Sequence, residues 1–269
     1  MRKLSFVATL LCFLITGRAF GWGDEGHKVV CEIAISQVKP STRAAITELI
    51  RADGEFDSFF DACTWPDHPR KRAPEHFVNL SRDASGLTND CGVSAPCVVT
   101  AIAKDFAVLS DKTATQGQRA ESLKFLGHWV GDVHQPLHVS FEDDRGGNEI
   151  RVSGECTSNL HSAWDSCLVS AAVGDNVQAA AASLVGSIKP KQAQMWRQSG
   201  PNQWANESFE ITESVQTKYC EMHGNSCDQP SGTVRIDQAY IDKNVPIVKE
   251  QLQKAGVRLA ALLDKALGE

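Results

Sequence analysis

The sequence has no long apolar run after residue 21 and no excess of positive charge. No later segment approaches the ~20 consecutive apolar residues that a membrane helix needs, so we expect no membrane span. The formal net charge is −6 at pH 7. An acidic chain does not attract polyanions through its overall field, so a phosphate-ester substrate would need a local cationic centre. A bound metal ion can supply one.

The cysteines lack the C-x-x-C spacing of structural zinc sites, which argues against such a site. Nine cysteines are present, and one of them, Cys12, lies in the N-terminal apolar run. The remaining even number is typical of disulfides in an exported protein. Sequence cannot choose among all possible pairings, but short spacings favour three local bridges: Cys91 with Cys97, Cys156 with Cys167, and Cys220 with Cys227.

The N-terminus has the three parts of a secretory signal peptide. Basic residues stand at positions 2 and 3, an apolar run spans 4–15, and small residues follow at 19 and 21. We therefore expect residues 1–21 to be removed and the mature protein, 22–269, to be secreted or periplasmic. Removing Arg2, Lys3 and Arg18 changes the formal charge from −6 to −9. The mature length fits one large domain, which is our prediction, or two small ones.

Apolar residues recur at helical spacing through most of the mature chain. The predicted helices span 25–38, 41–51, 96–111, 118–134, 158–169, 176–185, 202–219 and 237–267. Residues 53–75 contain Gly54 and three prolines and are predicted to form a loop, and only 142–152 has strand character. The predicted fold class is all-α, a mainly helical single domain with at most a short β-hairpin and disulfide-braced loops.

The stretch HWVGDVHQPLH, residues 128–138, concentrates three of the eight histidines of the chain. His128 and Asp132 are four residues apart, so on a helix both side chains project from one face. Pro136 disturbs the helix one turn later and can redirect His138 to a second ligand direction. A helix whose histidines are merely hydrogen-bonded would give the same pattern, so the interpretation depends on ligands elsewhere.

Matching ligands occur elsewhere in the chain. His161 and Asp165 repeat the four-residue spacing on another predicted helix, and Asp67 and His76 lie in or beside the loop. His27 follows Trp22, whose amine and carbonyl become available if the signal is cut before it. Nitrogen and carboxylate ligands without thiolate are typical of catalytic zinc sites with open positions. Nine candidate ligands are too many for one ion and suit three.

Together these motifs resemble a known family. W-x4-H, WPD, HF, H-x3-D, QPLH, GGN and LHSxWD are similar to those of the zinc-dependent single-strand nuclease and 3′-nucleotidase family, the P-one/S-one nucleases, which share the phospholipase C fold. The motifs run from Trp22 to Asp165, and helices continue to the C-terminus, so the resemblance covers essentially the mature chain.

The resemblance implies a role for each candidate. One zinc ion would be held by Asp67, His76, His128 and Asp132. A second would be held by Trp22 and His27, with Asp132 bridging, and a third by His138, His161 and Asp165. Among these ligands Asp67 and Asp132 are assigned the catalytic role. Phe77 would stack on a base, whereas Asn79 stands where the family often has an aspartate that contacts the base or the attacking water.

The resemblance implies an exported phosphodiesterase that hydrolyses single-stranded DNA and RNA to 5′-phosphorylated products. It also implies 3′-nucleotidase activity, with a trinuclear zinc centre that activates water for in-line attack. We expect a monomer. The first rival is a zinc-dependent phospholipase C of the same fold, and its last helical pair would resemble H-x3-E rather than His161 with Asp165. The second rival is a non-enzymatic zinc-binding protein.

Several further residues have local interpretations. His134 matches no ligand position and is expected to form a hydrogen bond near the site, while His68 and His223 are expected on the surface. Arg145 and Arg151 could help to hold phosphate, but a solvated role is favoured for both. Trp129 and Trp164 are expected to pack behind the neighbouring ligands, and Asn79 and Asn206 each begin a glycosylation sequon.

Overall fold

The computed structural model describes residues 22–88, 91–93, 95–224 and 226–268, and the predicted signal segment 1–21 lies outside these residues. Most of the described chain is helical, which confirms the predicted fold class. The helices are α1 (Asp24–Gln37), α2 (Pro40–Asp53), α3 (Phe59–Ala62), α4 (Val98–Ser110), α5 (Gln116–Asp132), α6 (Leu160–Ser162), α7 (Leu168–Val173), α8 (Val177–Ser187), α9 (Pro190–Trp196), α10 (Pro201–Thr212) and α11 (Gln238–Leu267).

Helix α5 lies at the centre of the packing. It begins at a capping box. The Thr115 side chain accepts from the Gln118 backbone N–H, and the Gln118 side chain accepts from the Thr115 backbone N–H. Every residue from Ser122 to Asp132 is buried, because α1, α2, α4 and α11 all pack against this helix. Its C-terminal half therefore carries candidate ligands into the interior.

Within the described residues, the strands are three residues long and form three separate two-stranded sheets. They are β1 (Val78–Leu80), β2 (Val139–Phe141), β3 (Val152–Gly154), β4 (Glu221–His223), β5 (Ser226–Asp228) and β6 (Val234–Ile236). The strands β4 and β5 form an antiparallel hairpin, but it does not lie at 142–152, where the sequence predicted strand character. There the chain turns, and β3 begins only at Val152. The pairs β1–β2 and β3–β6 are parallel and were not predicted, because three residues carry no alternation to read.

Four disulfides brace the loops, and three of them are the local bridges that spacing favoured: Cys91–Cys97, Cys156–Cys167 and Cys220–Cys227. The fourth, Cys31–Cys63, joins α1 to the residue that follows α3. Both of its cysteines are fully buried. This bridge therefore fixes the loop containing Asp67 against α1.

Several helix boundaries differ from the prediction. The helix predicted to reach residue 219 ends at Thr212, and the chain then turns so that Thr217 and Tyr219 are buried. Helix α2 begins at Pro40, one residue before the predicted start, and proline suits a first helical turn. Helix α9 was not predicted.

No single helix in the described ranges is long and apolar enough to cross a membrane, and only the pair Leu160–Val173 and Val177–Ser187, bent by 79°, passes by length and composition.

Candidate metal centre

His128 and Asp132 project from one face of α5, as their spacing predicts, and both are fully buried. The His128 Nδ1–H donates to the carbonyl of Cys63 at 2.9 Å, so the Nε2 atom is the one left to face the site. That Nε2 lies 3.3 Å from Asp132 Oδ2 and 3.6 Å from Asp67 Oδ2. The backbone beside the Cys31–Cys63 disulfide thus selects the tautomer that presents Nε2 as a ligand.

Two short 3-10 turns in the predicted loop bring Asp67 and His76 to the same place. Asp67 ends the turn Trp65–Asp67, and His76 ends the turn Ala73–His76. The His76 Nε2–H donates to the Lys71 carbonyl at 2.9 Å. His76 Nδ1 then faces Asp132 Oδ2 at 3.0 Å and Asp67 Oδ1 at 3.7 Å. The two histidines therefore use opposite ring nitrogens toward one point.

Helix α1 places His27 on the other side of Asp132. Its ring stacks on that of His128 at 3.8 Å between centroids, and its Nε2 lies 3.5 Å from Asp132 Oδ1. A Cβ on Gly131 would lie 2.7 Å from His27 Nδ1, so only glycine at 131 lets the ring approach α5 this closely. Trp22 is fully buried beside this region, and the next residue, Gly23, donates to the Asp165 carbonyl at 2.6 Å.

His138, His161 and Asp165 form a third cluster. The expected kink at Pro136 is instead a helix end, because α5 stops at Asp132 and Pro136 begins a separate 3-10 turn, Pro136–His138. Its effect is the predicted one, since His138 points to a different cluster. His161 lies in α6 and Asp165 in the π-helical turn Ala163–Cys167 that follows, with His161 Nε2 3.3 Å from Asp165 Oδ2.

The donor atoms converge in three groups that could each hold a metal ion. The groups are His27 with His128 and Asp132, then Asp67 with His76 and His128, then His138 with His161 and Asp165. Several of their atoms are buried yet have no hydrogen-bond partner within the described part of the chain: both nitrogens of His27, Oδ1 of Asp67, both oxygens of Asp132, Nε2 of His138 and Oδ2 of Asp165. Buried polar atoms left unpaired are costly, and metal coordination would satisfy them. The residues therefore fit metal ions.

The electrostatics differ between the groups. Burial lowers the pKa of His128, but the carboxylates of Asp132 and Asp67 outweigh that effect and raise the pKa to about 9. For Asp132 burial acts to raise the pKa, yet the neighbouring His128 and His138 lower it well below its usual range. Burial and the charge of His128 lower the pKa of His27. The surroundings of Asp132 therefore favour positive charge at this point.

The third cluster favours neutral imidazoles. Burial lowers the pKa of His161 to about 4 and holds that of His138 well below its usual range. Burial also raises the pKa of Asp165 well above its usual range, against the bond from Gln135. The positive charge of Arg70 acts to lower the pKa of each of these three residues, although for Asp165 the effect of burial is larger. Neutral imidazole is the form that binds metals, so these histidines need no deprotonation.

Phe77 and Asn79 follow His76 at the edge of the centre, and both are half-buried. The Phe77 carbonyl accepts from the Val98 N–H at 3.2 Å, and the Asn79 carbonyl accepts from the Val93 N–H at 3.0 Å. Asn79 lies in β1 opposite Ser140 of β2. Val98, at the start of α4, and Val93, inside the loop closed by Cys91–Cys97, therefore hold the backbone of Phe77 and Asn79.

The remaining histidines and arginines lie where they contribute no donor atom to the three groups. His134 is buried, donating from Nδ1 to the Val130 carbonyl at 2.7 Å and accepting from Arg258 at 2.9 Å, so its predicted hydrogen-bonding role is confirmed. His68 and His223 are exposed, as predicted, and so are Arg145 and Arg151.

The two tryptophans pack as expected. Trp129 Nε1 donates to Asp105 Oδ2 at 2.8 Å, and Trp164 Nε1 donates to the Tyr240 hydroxyl at 3.0 Å. In the sequon at Asn206, the Asn206 amide donates to Asn202 and Ser208 is fully buried.

Three residues at the site escaped the sequence analysis: Arg70, Gln135 and Asp105. Arg70 stands in the proline-rich loop, where nothing in its neighbours marks a site residue. The Gln135 amide donates to Asp165 Oδ1 at 2.5 Å, leaving Oδ2 for a ligand role. Asp105 accepts from both Arg72 and Trp129. Only Gln135 had a signal, its place inside the histidine-rich stretch.

Comparison with known proteins agrees with this geometry. The family model described as S1/P1 Nuclease matches residues 22–268. The chain belongs to the S1/P1 nuclease family. It is 32% identical to Endonuclease 2 of Arabidopsis thaliana, over 92% of this chain and 91% of that protein. It is 28% identical to Nuclease S1 of Aspergillus oryzae, over 91% of each chain, and 28% identical to Nuclease P1 of Penicillium citrinum, over 92% of this chain and 98% of that protein.

Proposed function

We propose that this S1/P1 family member is an exported zinc-dependent endonuclease that hydrolyses single-stranded DNA and RNA to 5′-phosphorylated products. It would also remove the phosphate of 3′-nucleotides. The observation that carries the proposal is the convergence of buried, unpaired nitrogen and carboxylate donors in three groups. The phospholipase C alternative is not favoured, since the family match is to nucleases. The same match argues against a non-enzymatic zinc-binding protein.

The ligand sets follow the three groups. Asp67, His76, His128 and Asp132 would hold one ion, and Trp22 and His27 a second. Asp132 would bridge these two, because its Oδ2 faces His76 and His128 while its Oδ1 faces His27. His138, His161 and Asp165 would hold the third. Trp22 would act through a free amine and its carbonyl, which requires cleavage directly before it, and the mature chain 22–269 would be one monomeric domain.

When bound, zinc supplies Lewis acidity and lowers the pKa of coordinated water toward neutrality. The side chains of the protein place the reactants. Asp67, whose Oδ1 is buried and unpaired among the described residues, would accept a hydrogen bond from the attacking water. Arg70, whose charge acts on His138, His161 and Asp165, would hold a phosphate oxygen beside the third group.

Phe77 would bind a base by stacking, and Asn79 would contact its edge. A base must leave a duplex to stack in this way, which costs a few kcal/mol, so single strands would be cleaved well above duplexes. An asparagine donates as well as accepts hydrogen bonds, so Asn79 would not repeat the base preference of an aspartate.

The test combines metal analysis, N-terminal sequencing and cleavage assays on the mature protein. We expect about three zinc ions per chain, an N-terminus at Trp22, and rates on single-stranded DNA and RNA well above those on duplex. One zinc ion per chain, another N-terminus, or equal rates on both substrates would overturn the proposal. Hydrolysis of phosphatidylcholine in place of DNA would support the phospholipase alternative.

A further inference from the structure

Residues 212–219 lead from the end of α10 to the hairpin β4–β5, and hydrogen bonds from this segment reach the surroundings of all three residues of the third group. The Cys220–Cys227 disulfide closes the hairpin directly after the segment. Asn244 of α11 donates to the Gln216 carbonyl at 3.0 Å. The segment is therefore anchored at its end and in its middle.

The first contact is with the turn that carries His138. Thr212 is fully buried, and its Oγ1 lies 2.5 Å from the Pro136 carbonyl oxygen and 3.1 Å from that of Val139. These two carbonyls flank His138 in the sequence. The single Oγ1 proton is shared among these carbonyls and that of Ser208, one helical turn back at 3.1 Å, with Pro136 as its nearest acceptor. Thr212 thus ties the end of α10 to the short turn Pro136–His138.

The second contact reaches His161 through a buried carboxylate. The Tyr219 hydroxyl donates to Asp144 Oδ1 at 2.6 Å, and the same oxygen accepts from the Gly147 N–H at 2.9 Å. Arg82 pairs with the other carboxylate oxygen of Asp144 at 2.7 Å. Asp144 is fully buried, so its charge depends on these partners.

The turn that Asp144 fixes holds the His161 ring. His161 Nδ1–H donates to the Gly146 carbonyl at 2.7 Å, and the His161 N–H contacts the Gly147 carbonyl at 3.3 Å. Gly146 has φ +66°, and a Cβ there would lie 2.6 Å from the Leu137 carbonyl oxygen. The turn therefore packs between the His138 and His161 ligands, and Asp144 sets its position.

The third contact reaches the helical turn of Asp165. The Thr217 carbonyl accepts from the Tyr240 hydroxyl at 2.7 Å, and that hydroxyl accepts from Trp164 Nε1 at 3.0 Å. Trp164 is fully buried and directly precedes Asp165. In the other two groups, His128 and His76 are oriented instead by the carbonyls of Cys63 and Lys71.

We propose that segment 212–219 positions the third metal site as a unit, with Thr212, Tyr219 and the Thr217 carbonyl as its three points of contact. This inference rests on the proposed function, because it takes His138, His161 and Asp165 as metal ligands. Partners behind metal ligands typically change metal affinity by about 10–100-fold when removed. Loosening the segment is therefore expected to weaken the third ion alone by about that factor.

The experiment measures zinc bound per chain in the mature protein across a series of buffered free-zinc concentrations. The test variants are Tyr219→Phe, which removes the hydroxyl from Asp144, and Thr212→Val, which removes the bonds around His138. Thr212→Ser keeps the hydroxyl and serves as the conservative rescue. Thr47→Val is the matched control, because Thr47 makes the same kind of bond to a helix carbonyl on the exposed face of α2.

We expect Tyr219→Phe and Thr212→Val to lose one ion at zinc concentrations about tenfold higher than the wild type does, with the other two retained. Thr212→Ser and Thr47→Val should match the wild type. Unchanged binding of all three ions, or parallel loss of all three, would overturn the inference, since a general loss of stability would not select one ion. A wild type that never binds a third ion would overturn the proposed function as well.

Discussion

The two groups that share His128 and the third group around Asp165 are all buried, but different contacts hold them. The first two form around a central helix, with the Cys31–Cys63 disulfide behind His128, and their three histidines face Asp132. The third is held by hydrogen bonds from turns and from segment 212–219. Its His161 is 6% exposed, whereas His128 and Asp132 are 0% exposed. We therefore expect the third group to be more easily disturbed than the first two.

The largest expected effect on metal content and cleavage rate comes from replacing a central carboxylate, Asp132 in the first two groups or Asp165 in the third. Asp132 oxygens lie within 3.5 Å of four imidazoles, whereas Asp165 approaches only His161 at 3.3 Å and His138 at 3.9 Å. Asp132→Ala should therefore lose the paired ions and lower the cleavage rate by about a thousandfold or more. Asp165→Ala should lose one ion only.

Zinc analysis and initial rates on single-stranded DNA measure both effects. The exposed Asp175→Asn is the control and should keep full metal content and rate. If Asp132→Ala retained all ions while Asp165→Ala lost them, the roles of the two parts would be reversed.

In the metal-free protein, the first two groups and the third group should make the free energy of unfolding depend on pH in opposite directions. Because the folded-state pKa of His128 is raised from 6.5 to about 9, its stabilising contribution is complete below pH 6.5 and is lost as pH rises through about 9. The pKa of His161 is lowered to about 4, so the folded state resists its protonation and stability falls from pH 6.5 toward 4. The loss of the His128 contribution should lower the free energy of unfolding by roughly 3 kcal/mol.

Chemical denaturation of the chelator-treated protein between pH 4 and 10 measures the fall in stability at high pH, the alkaline limb, and at low pH, the acid limb. His128→Gln should remove the fall in stability at high pH. His161→Gln should remove part of the fall at low pH, where carboxylates also titrate. An alkaline limb that survives in His128→Gln would show that another group carries the proton.

A smaller effect on stability and zinc content is expected when one methyl group is added between α1 and α5. Gly131→Ala places a Cβ 2.7 Å from His27 Nδ1, so the ring must move away from Asp132. Overpacking of this kind costs about 1–3 kcal/mol, and we expect one of the paired ions to be lost while the third stays. Thermal unfolding and zinc analysis measure the two effects.

Gly117→Ala on the same helix is the matched control, because a Cβ there meets nothing within 4 Å. It should leave metal binding unchanged and raise stability by up to ~1 kcal/mol. Equal zinc content in both variants would mean that His27 does not need its present position.

The sequence predicted most of this centre where ligands repeat at helical spacing. His128 with Asp132 and His161 with Asp165 needed only the four-residue rule, although the second pair spans a π-helical turn that spacing does not reveal. Asp67 and His76 were candidates from their residue types and their place in or beside the loop, and the resemblance assigned them to one ion with His128 and Asp132. Nothing local predicts that two 3-10 turns bring them together. Arg70 and Asp144 were missed because their roles depend on long-range contacts. The end of α10 at Thr212 was missed as well, since the bonds around it include long-range ones, from Thr212 to the Pro136 carbonyl and from Tyr240 to the Thr217 carbonyl.

The smallest effect concerns Phe77, whose neighbour His76 contacts both parts of the centre. The His76 ring belongs to the pair, while its carbonyl accepts from His138 Nδ1–H of the third group at 2.7 Å. Phe77 follows it and supplies no donor atom, so Phe77→Ala should keep the zinc content. Stacking on a base contributes about 1–3 kcal/mol, so KM for single-stranded DNA should rise about tenfold with little change in kcat, and the preference over duplex should narrow. Phe77→Trp should restore KM, because any aromatic face can stack. A lower zinc content in Phe77→Ala would instead assign this residue to the support of His76 and His138, and an unchanged KM would exclude stacking as its role.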